Sequence, residues 1–247
     1  MDYVLNPVPT MRLCLQQKMN NTQDLIVTGL KIHKVMEFAQ VLSQAAALQG
    51  FDVKTAEFSV EQIMNVEMAH IRLGEKVFSP LIPEGKANIF VCFEPALAVK
   101  HIRKYLSPDG TIIMNTHSLL SFDATAEQLI SLLSPSAKKV IKLDVFKMAE
   151  EAGDISRSHM VLLGILSGLP NAPVSLSNII AVINKNFSSS DAKRYVKILE
   201  SGREFIEKGG LNMYEGAYLN KDFRIEVDGK KKWQRLLRNL DKDKGNR

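Results

Sequence analysis

Short apolar segments alternate with longer amphipathic segments along most of this sequence, a pattern typical of α/β domains. Residues 24–29 (DLIVTG) form an apolar run that ends at glycine, and a helical period follows up to residue 49. Gly50 ends that helix, and residues 51–57 predict the next strand. We therefore predict that the domain begins with a parallel β-α-β unit.

The central part of the chain predicts that the sheet is mixed. Residues 66–73, the turn at Gly74 and Glu75, and residues 76–79 have the pattern of an antiparallel hairpin. The elements predicted after it are strands at 88–93, 111–115 and 139–145, helices at 95–106 and 125–133, and a turn at 107–110. We expect a three-layer αβα fold whose mixed sheet is mostly parallel.

The last third of the chain is predicted to be helical. Helical periods cover 147–152, 158–168, 176–187 and 191–208. Beyond Gly209 and Gly210, an alternation at 223–227 predicts a short edge strand, and an amphipathic end that contains Trp233 suggests docking. We expect an N-terminal extension at 1–23, one domain at 24–211 and a basic C-terminal extension at 212–247.

The positive charge of the chain is confined to its end. The net charge is +5, and residues 228–247 alone, with five Lys, three Arg and three Asp, sum to +5. A basic tail can bind nucleic acid, a membrane surface or an acidic partner, but a solvated tail is the commoner case, so we expect no nucleic-acid binding. No apolar stretch approaches the roughly 20 residues that cross a bilayer. We expect a cytoplasmic protein without a membrane partner.

No cofactor or metal site follows from the residues themselves. The two cysteines, Cys14 and Cys92, are far apart, so they indicate neither a zinc site nor an iron–sulfur cluster held by this chain alone. Cys92 lies in an apolar run and is expected to be buried. The histidines are isolated from one another, and the sequence contains neither a His-x-x-x-His pair nor a Gly-x-Ser-x-Gly turn. We predict no catalytic, cofactor-binding or metal-binding residue on this basis.

The turn after the first strand is where an α/β domain most often binds phosphate. Here it reads GLKIHK at residues 29–34, with Gly29 as its one glycine. The side chains of Leu30, Ile32 and His33 would crowd a dinucleotide. Lys31 and Lys34 attract an anion only by charge, so we do not expect a nucleotide at this turn.

Several spaced phrases nevertheless resemble one family. They are GFDVKTAE at 50–57, HIRLG at 70–74, VFSPLIPEGKA at 77–87, FEPA at 93–96, LSPDGT at 106–111, IMNT at 113–116 and VLLG at 161–164. Over roughly residues 24–187 the chain resembles the gamma subunit of 2-oxoacid:acceptor (ferredoxin) oxidoreductases, such as the pyruvate and ketoisovalerate enzymes. It is also similar to the indolepyruvate oxidoreductase beta subunit.

Two loops depart from that family. The usual Gly-Val-Gly-Gly-Gln-Gly loop is replaced by residues 29–34, which keep only the first glycine. The usual His-Gly-Met-x-Gln-Arg-Gly-Gly-Ser loop is replaced by residues 59–66, in which only Gln62 stays in register. We expect that the fold and the assembly surface persist while the function of these loops has changed.

The resemblance implies a multi-subunit complex. Thiamine diphosphate, Mg and 4Fe-4S clusters would be held by thiamine-binding and ferredoxin-like partner subunits, and none by this chain alone. The chain would be a structural or accessory subunit with no turnover of its own. The resemblance suggests these residues as subunit contacts or ligand-facing positions: Gly29, His70, Pro80, Leu81, Pro83, Asn115 and Thr116. The proline-rich loop at 79–85 is the leading candidate for a subunit contact.

Two other functions fit the sequence. A diverged α/β binding module could keep the fold and join a different complex through its basic tail. An enzyme acting alone on a nucleotide or small ligand would need a phosphate site, which the turn at residues 29–34 does not indicate.

Overall fold

A computed structural model describes residues 22–61, 65–119, 128 and 136–210. Three predicted features lie outside these residues: most of the helix at 125–133, the edge strand at 223–227 and the amphipathic end around Trp233. Within the described part, no helix is long and apolar enough to cross a membrane.

The described residues form six strands and six α-helices. The strands are β1 (Gln23–Leu30), β2 (Asp52–Glu61), β3 (Val66–Gly74), β4 (Ala87–Cys92), β5 (Leu106–Asn115) and β6 (Lys139–Leu143). The helices are α1 (Val35–Leu48), α2 (Pro95–Tyr105), α3 (Val145–Ala152), α4 (Ser158–Gly168), α5 (Leu176–Asn186) and α6 (Ser189–Glu207). Short 3₁₀ turns cover Lys31–His33 and Ile155–Arg157.

The six strands form one mixed sheet in the order β2-β3-β1-β4-β5-β6. β1, β4, β5 and β6 are parallel neighbours, whereas β3 is antiparallel to both β1 and β2. The predicted mixed, mostly parallel sheet is therefore confirmed. The Ser-Pro-Asp-Gly turn at 107–110 lies inside β5, where the pairing with β4 passes directly from Leu106 to Thr111.

Two details of the predicted pairing are wrong. The antiparallel hairpin is formed by β2 and β3, and residues 76–79 are not a strand. Both edges of β3 are occupied, one by β1 and the other by β2, so residues 76–79 have no edge to pair with. For the same reason β2 is not a neighbour of β1, and the first β-α-β segment does not form an adjacent parallel pair.

Helices cover both faces of the sheet, which gives the three-layer αβα fold. One hydrophobic core joins Leu25 and Val27 of β1 to α1 and to the helices that follow β6. The other joins Ile26 of β1 and Phe90 of β4 to α2. Side chains alternate between the two faces along a strand, so a strand buried on both faces is apolar throughout.

The C-terminal helices pack tightly over the first of these cores. All of α4 except Gly168 is buried. A β-carbon at Gly164 would overlap the carbonyl of Leu199 in α6, and one at Gly202 of α6 would overlap the carbonyl of Val161. The two glycines therefore let the backbones of α4 and α6 approach more closely than any side chain would permit.

Candidate functional site

The carboxyl edge of the parallel strands contains the switch point of this fold. The helix after β1 packs on one face of the sheet, and the helix after β4 packs on the opposite face. The two chain segments therefore diverge between β1 and β4, which are neighbours. In open α/β sheets, ligands bind in the crevice that such a divergence creates.

The imidazole of His33 occupies this crevice. The N–H of Leu30 donates to His33 Nδ1 at 3.0 Å, which folds the 3₁₀ turn back onto the end of β1. A β-carbon at Gly29 would lie 2.8 Å from His33 Nδ1 and 2.8 Å from the β-carbon of Phe93. The single glycine of the turn thus makes room for a side chain of the same chain. The predicted crowding by His33 is confirmed, whereas Ile32 points away and is 70% exposed.

Three further rings lie beside His33 along the carboxyl edge of the sheet. His33 stacks on Phe93 with ring centroids 5.3 Å apart, and the ring of Phe146 lies 5.5 Å from His33 on a tilted plane. His117 meets Phe146 edge-on at 5.6 Å. This row of four rings crosses the ends of the parallel strands, so the backbone N–H groups after β1 do not form an open cradle for phosphate.

Burial holds His33 in its neutral form. It lowers the pKa of His33 to about 4. Only an unprotonated Nδ1 can accept the hydrogen bond from Leu30, so the turn requires the neutral imidazole. His70, which is buried beneath the loop after β3, also has a pKa of about 4, chiefly because of burial.

The stability of the protein is expected to fall in mild acid. Both histidines have a folded pKa near 4, below the value of 6.5 of an unperturbed histidine. Between these two values the unfolded chain therefore binds more protons than the folded chain. The contribution of the two neutral histidines to stability is fully present above pH 6.5 and is lost as the pH falls towards 4. We expect His33→Gln, which keeps an acceptor, to lose less stability between neutral and acidic pH than the wild type. Urea unfolding at about pH 7 and about pH 5 measures this loss; an equal loss in the variant and the wild type would contradict a neutral His33.

Glu94 is a buried carboxyl at the end of β4. It accepts hydrogen bonds from the hydroxyl of Ser118 and, at 3.0 Å, from the N–H of Leu119. Burial raises the pKa of Glu94, against the opposing effect of these two hydrogen bonds. Glu94 therefore holds the segment after β5 against the end of β4. Burial likewise holds the pKa of the Cys92 thiol well above its usual value, so Cys92 is a buried apolar residue, as predicted.

Asn115 and Thr116 join the ends of three elements. The Asn115 amide donates to the carbonyls of Phe93 and His117, and its oxygen accepts from the N–H of Val145 at 3.1 Å. The N–H of Thr116 donates to the carbonyl of Leu143 at 2.8 Å. Asn115 is fully buried. Its polar groups are therefore committed to contacts within the chain.

A charged cluster lies beside the sealed turn. Glu37 in the first turn of α1 accepts two hydrogen bonds from Arg157, at 2.8 and 3.0 Å, and lies 3.2 Å from His159 Nε2. Burial alone would raise the pKa of Glu37, but the hydrogen bond with His159 and the nearby charges of Arg157 and Lys34 together lower it. This cluster connects α1 to the Ile155–Arg157 turn and to α4.

The loop after β3, residues 76–86, forms a strap on the face of the sheet that α2 covers, opposite the face covered by α1. Arg72 makes two hydrogen bonds to the carboxylate of Asp24, at 2.8 and 3.1 Å, and donates to the carbonyls of Ser79 and Leu81. The N–H of Ile82 donates to His70 Nδ1 at 3.2 Å. The strap backbone is therefore held at several points, and its exposed side chains are presented on a rigid support.

The seven candidate residues fall into two groups. Gly29, Asn115 and Thr116 lie at the carboxyl edge, whereas His70, Pro80, Leu81 and Pro83 belong to the strap and its support. Sequence reasoning missed Arg72, Glu94 and Phe78, which is 85% exposed on the strap. Arg72 follows His70 by two residues and so faces the same side of β3, which was the one available signal.

The described residues do not fit a diphosphate cofactor, a metal ion or an iron–sulfur cluster held by this chain. A diphosphate would need the space that His33 fills. Among residues 22–61, 65–119 and 136–210, no group of three or more His, Cys, Asp or Glu side chains could hold a metal ion. An iron–sulfur cluster needs four thiolates on the usual pattern, and the chain has two cysteines.

Comparison with known families agrees with this architecture. The family model of pyruvate ferredoxin/flavodoxin oxidoreductase matches residues 35–209, which is more than half of the chain. The chain belongs to this family. The match begins at the first residue of α1 and ends just after α6, so the family model includes both helical layers.

Curated relatives are matched over most of their length. The indolepyruvate oxidoreductase subunit IorB of Thermococcus kodakarensis is 29% identical over 170 residues, which is 65% of this chain and 84% of that protein. IorB of Archaeoglobus fulgidus is 27% identical over 188 residues, 72% of this chain and 92% of that protein.

Solved structures share the fold at low identity. Pyruvate oxidoreductase subunit PORC of Thermotoga maritima has a TM-score of 0.60 at 19% identity, covering 74% of this chain and 96% of that chain. The keto/oxoacid ferredoxin oxidoreductase gamma subunit of Geobacter sulfurreducens has a TM-score of 0.59 at 10% identity, covering 75% and 99%. The 2-oxoglutarate:ferredoxin oxidoreductase of Magnetococcus marinus has a TM-score of 0.60 at 16% identity and is covered over 33% of its chain, against 83% of this one.

Proposed function

We propose that this chain is the small, gamma-type subunit of a thiamine-dependent 2-oxoacid:ferredoxin oxidoreductase. The complex would carry out oxidative decarboxylation of a 2-oxoacid jointly with its partner chains. The observation that supports this most strongly is the family match over residues 35–209, which spans both layers of helices. We place the family domain at residues 24–211, with extensions at 1–23 and 212–247.

The sealed crevice supports an accessory role for this chain. A subunit that bound a diphosphate cofactor after β1 would need exposed backbone N–H groups there, and His33 fills that space. We therefore assign thiamine diphosphate and Mg to a thiamine-binding partner subunit, and the 4Fe-4S clusters to a ferredoxin-like one. The contribution of this chain would be to complete the assembly.

We propose the strap as the first subunit contact. Its exposed apolar side chains are Phe78, at 85% exposure, and Leu81, at 53%, and Pro83 is also exposed. Arg72 holds the backbone of this loop at the carbonyls of Ser79 and Leu81, so little conformational entropy would be lost on binding. A rigid apolar projection of this kind is typical of the centre of a protein interface.

Removing the exposed apolar side chains of the strap should weaken assembly without destabilising the fold. We expect Phe78→Ser together with Leu81→Ser to weaken binding to the partner subunits by about tenfold or more. Each of these side chains is exposed in the free chain and would bury its apolar surface only when the complex forms. The melting temperature should stay unchanged because both residues are exposed. Biolayer interferometry measures the dissociation constant. Leu48→Ser, at the exposed end of α1, is the matched control; equal affinities of all variants would exclude the strap.

Co-expression with the thiamine-binding and ferredoxin-like chains of the same organism tests the proposed function. Size-exclusion chromatography should show this chain eluting with them, and 2-oxoacid-dependent ferredoxin reduction should require all chains. A chain that stays monomeric in the presence of its partners would count decisively against the proposal.

A further inference from the structure

The strap is joined directly to the last turn of α2. The N–H of Gly85 donates to the carbonyl of Lys104 at 2.9 Å, and Lys104 Nζ lies 3.3 Å from a carboxylate oxygen of Glu84. Beneath the strap, the ring of Tyr105 meets the ring of His70 edge-on, with centroids 5.0 Å apart. The strap and the end of α2 therefore form one continuous surface.

The part of this surface that α2 provides is basic. Lys100 lies three and four residues before Arg103 and Lys104, so these exposed side chains share one side of the helix. Lys86 is exposed at the end of the strap, and we call the four cations the basic rim. Glu84 pairs with Lys104. The other three cations form no ion pair with any residue that the structure describes.

Two imidazoles beside the basic rim respond to its positive charge. Burial lowers the pKa of His101 on α2, and Lys100 and Lys104 lower it further. Burial likewise lowers the pKa of His70 to about 4, and the charges of Arg72 and Lys104 act in the same direction. No carboxylate among the described residues opposes these effects. The electrostatic field at both imidazoles is therefore positive.

The positive charge of this surface is not a property of the whole domain. Residues 76–104 contain five Lys or Arg and two Glu, and one of these two is the buried Glu94. Residues 1–227 as a whole carry no net charge. The helix dipole favours basic residues only in the last turn of α2, and Lys86 and Lys100 lie outside that turn. The cations are therefore concentrated beside the strap for a reason other than helix stability.

We propose that the basic rim extends the strap contact and binds an acidic segment of a partner subunit. The apolar Leu81 and Pro83 are exposed on the adjoining strap. One partner would therefore place apolar side chains on the strap and carboxylates beside Lys100 and Arg103. Charges at the rim of an apolar contact attract the partner over a distance and fix its orientation. This inference rests on the proposed function, because it requires that a partner subunit binds the strap.

Charge reversal tests the basic rim. Lys100→Glu together with Arg103→Glu should lower the association rate constant with the purified partner subunits by about tenfold at low salt, and salt should no longer slow association. Lys100→Gln with Arg103→Gln, which places no carboxylate near the helix end, should lower it by about threefold. Lys193→Glu with Lys197→Glu makes the same change of net charge at exposed residues of α6 and should associate like the wild type. Biolayer interferometry at several salt concentrations measures these rate constants.

The outcomes separate this inference from the proposed function. If the wild-type chain binds its partners and both variants of the basic rim associate at the wild-type rate, or no more slowly than the α6 control, the acidic contact is overturned and the proposed function stays intact. Wild-type chain that binds no partner subunit would overturn both. Thermal unfolding of each variant checks the fold, and the glutamine variant remains informative if the glutamate variant unfolds.

Discussion

Replacing Gly164 with alanine is expected to lower the free energy of unfolding by about 3 kcal/mol. The new β-carbon would overlap the carbonyl of Leu199, which belongs to the backbone of α6 and cannot rotate away. The two helices would have to separate, and the buried residues of α4 would lose packing on the sheet. Chemical denaturation at neutral pH measures the change.

The sign of this effect makes the experiment decisive. Glycine to alanine inside an ordinary helix stabilises by about 1 kcal/mol, because alanine has the higher helix propensity. Gly202→Ala, which meets the carbonyl of Val161 from the other helix, should be destabilised like Gly164→Ala. Glu200→Ala, at an exposed position of α6, should change stability by no more than about 0.5 kcal/mol. Stabilisation by either glycine substitution would show that α4 and α6 are not in close backbone contact.

Replacing Arg72 with methionine is expected to be equally damaging. Asp24 is only 5% exposed, and Arg72 supplies both hydrogen bonds to its carboxylate. Removing one partner of a buried pair leaves an uncompensated charge, which typically costs about 3–5 kcal/mol. The strap would also lose the donors to the carbonyls of Ser79 and Leu81, so we expect faster proteolysis of residues 76–86.

A double substitution separates the lost pair from the lost strap contacts. Asp24→Asn combined with Arg72→Met should recover part of the stability, because the buried charge is then removed as well. The proteolytic sensitivity of the strap should persist, since its donors are still missing. Lys54→Met removes an exposed ion pair with Asp52 and should change stability by less than about 1 kcal/mol. Strictly additive effects at Asp24 and Arg72 would contradict the pairing.

Local patterns predicted most of the elements of this fold. The strand that ends at Gly29, the helix that ends near Gly50 and the apolar strand at 88–93 each have a period or a stop residue that acts within the segment itself. The pairing of β2 with β3 was not predictable in this way. β2 is an edge strand with many exposed residues, so its alternation is weak, whereas residues 76–79 alternate without being a strand.

The site residues were less predictable because their partners are distant in sequence. Asp24 and Arg72 meet only because β1 and β3 pair in a register that places them side by side. Glu37 and Arg157 are separated by 120 residues of sequence. The crowding of the turn after β1 was visible in its composition, but which residue fills the crevice depends on Phe93 and Phe146. The local sequence therefore indicated that the glycine-rich loop of the family is absent. The packing shows that the side chain of His33 fills the space beside Gly29.

Purification of the native protein from its own source tests the central claim most directly. The chain would be isolated with an affinity tag at its natural expression level, and the co-purifying proteins, thiamine diphosphate and iron would be quantified. We predict a stoichiometric thiamine-binding chain and a ferredoxin-like chain, with thiamine diphosphate and iron lost when the tagged chain is stripped from them. Isolation of the chain alone, or with partners that contain neither thiamine diphosphate nor iron, would contradict its role as a subunit of a 2-oxoacid oxidoreductase.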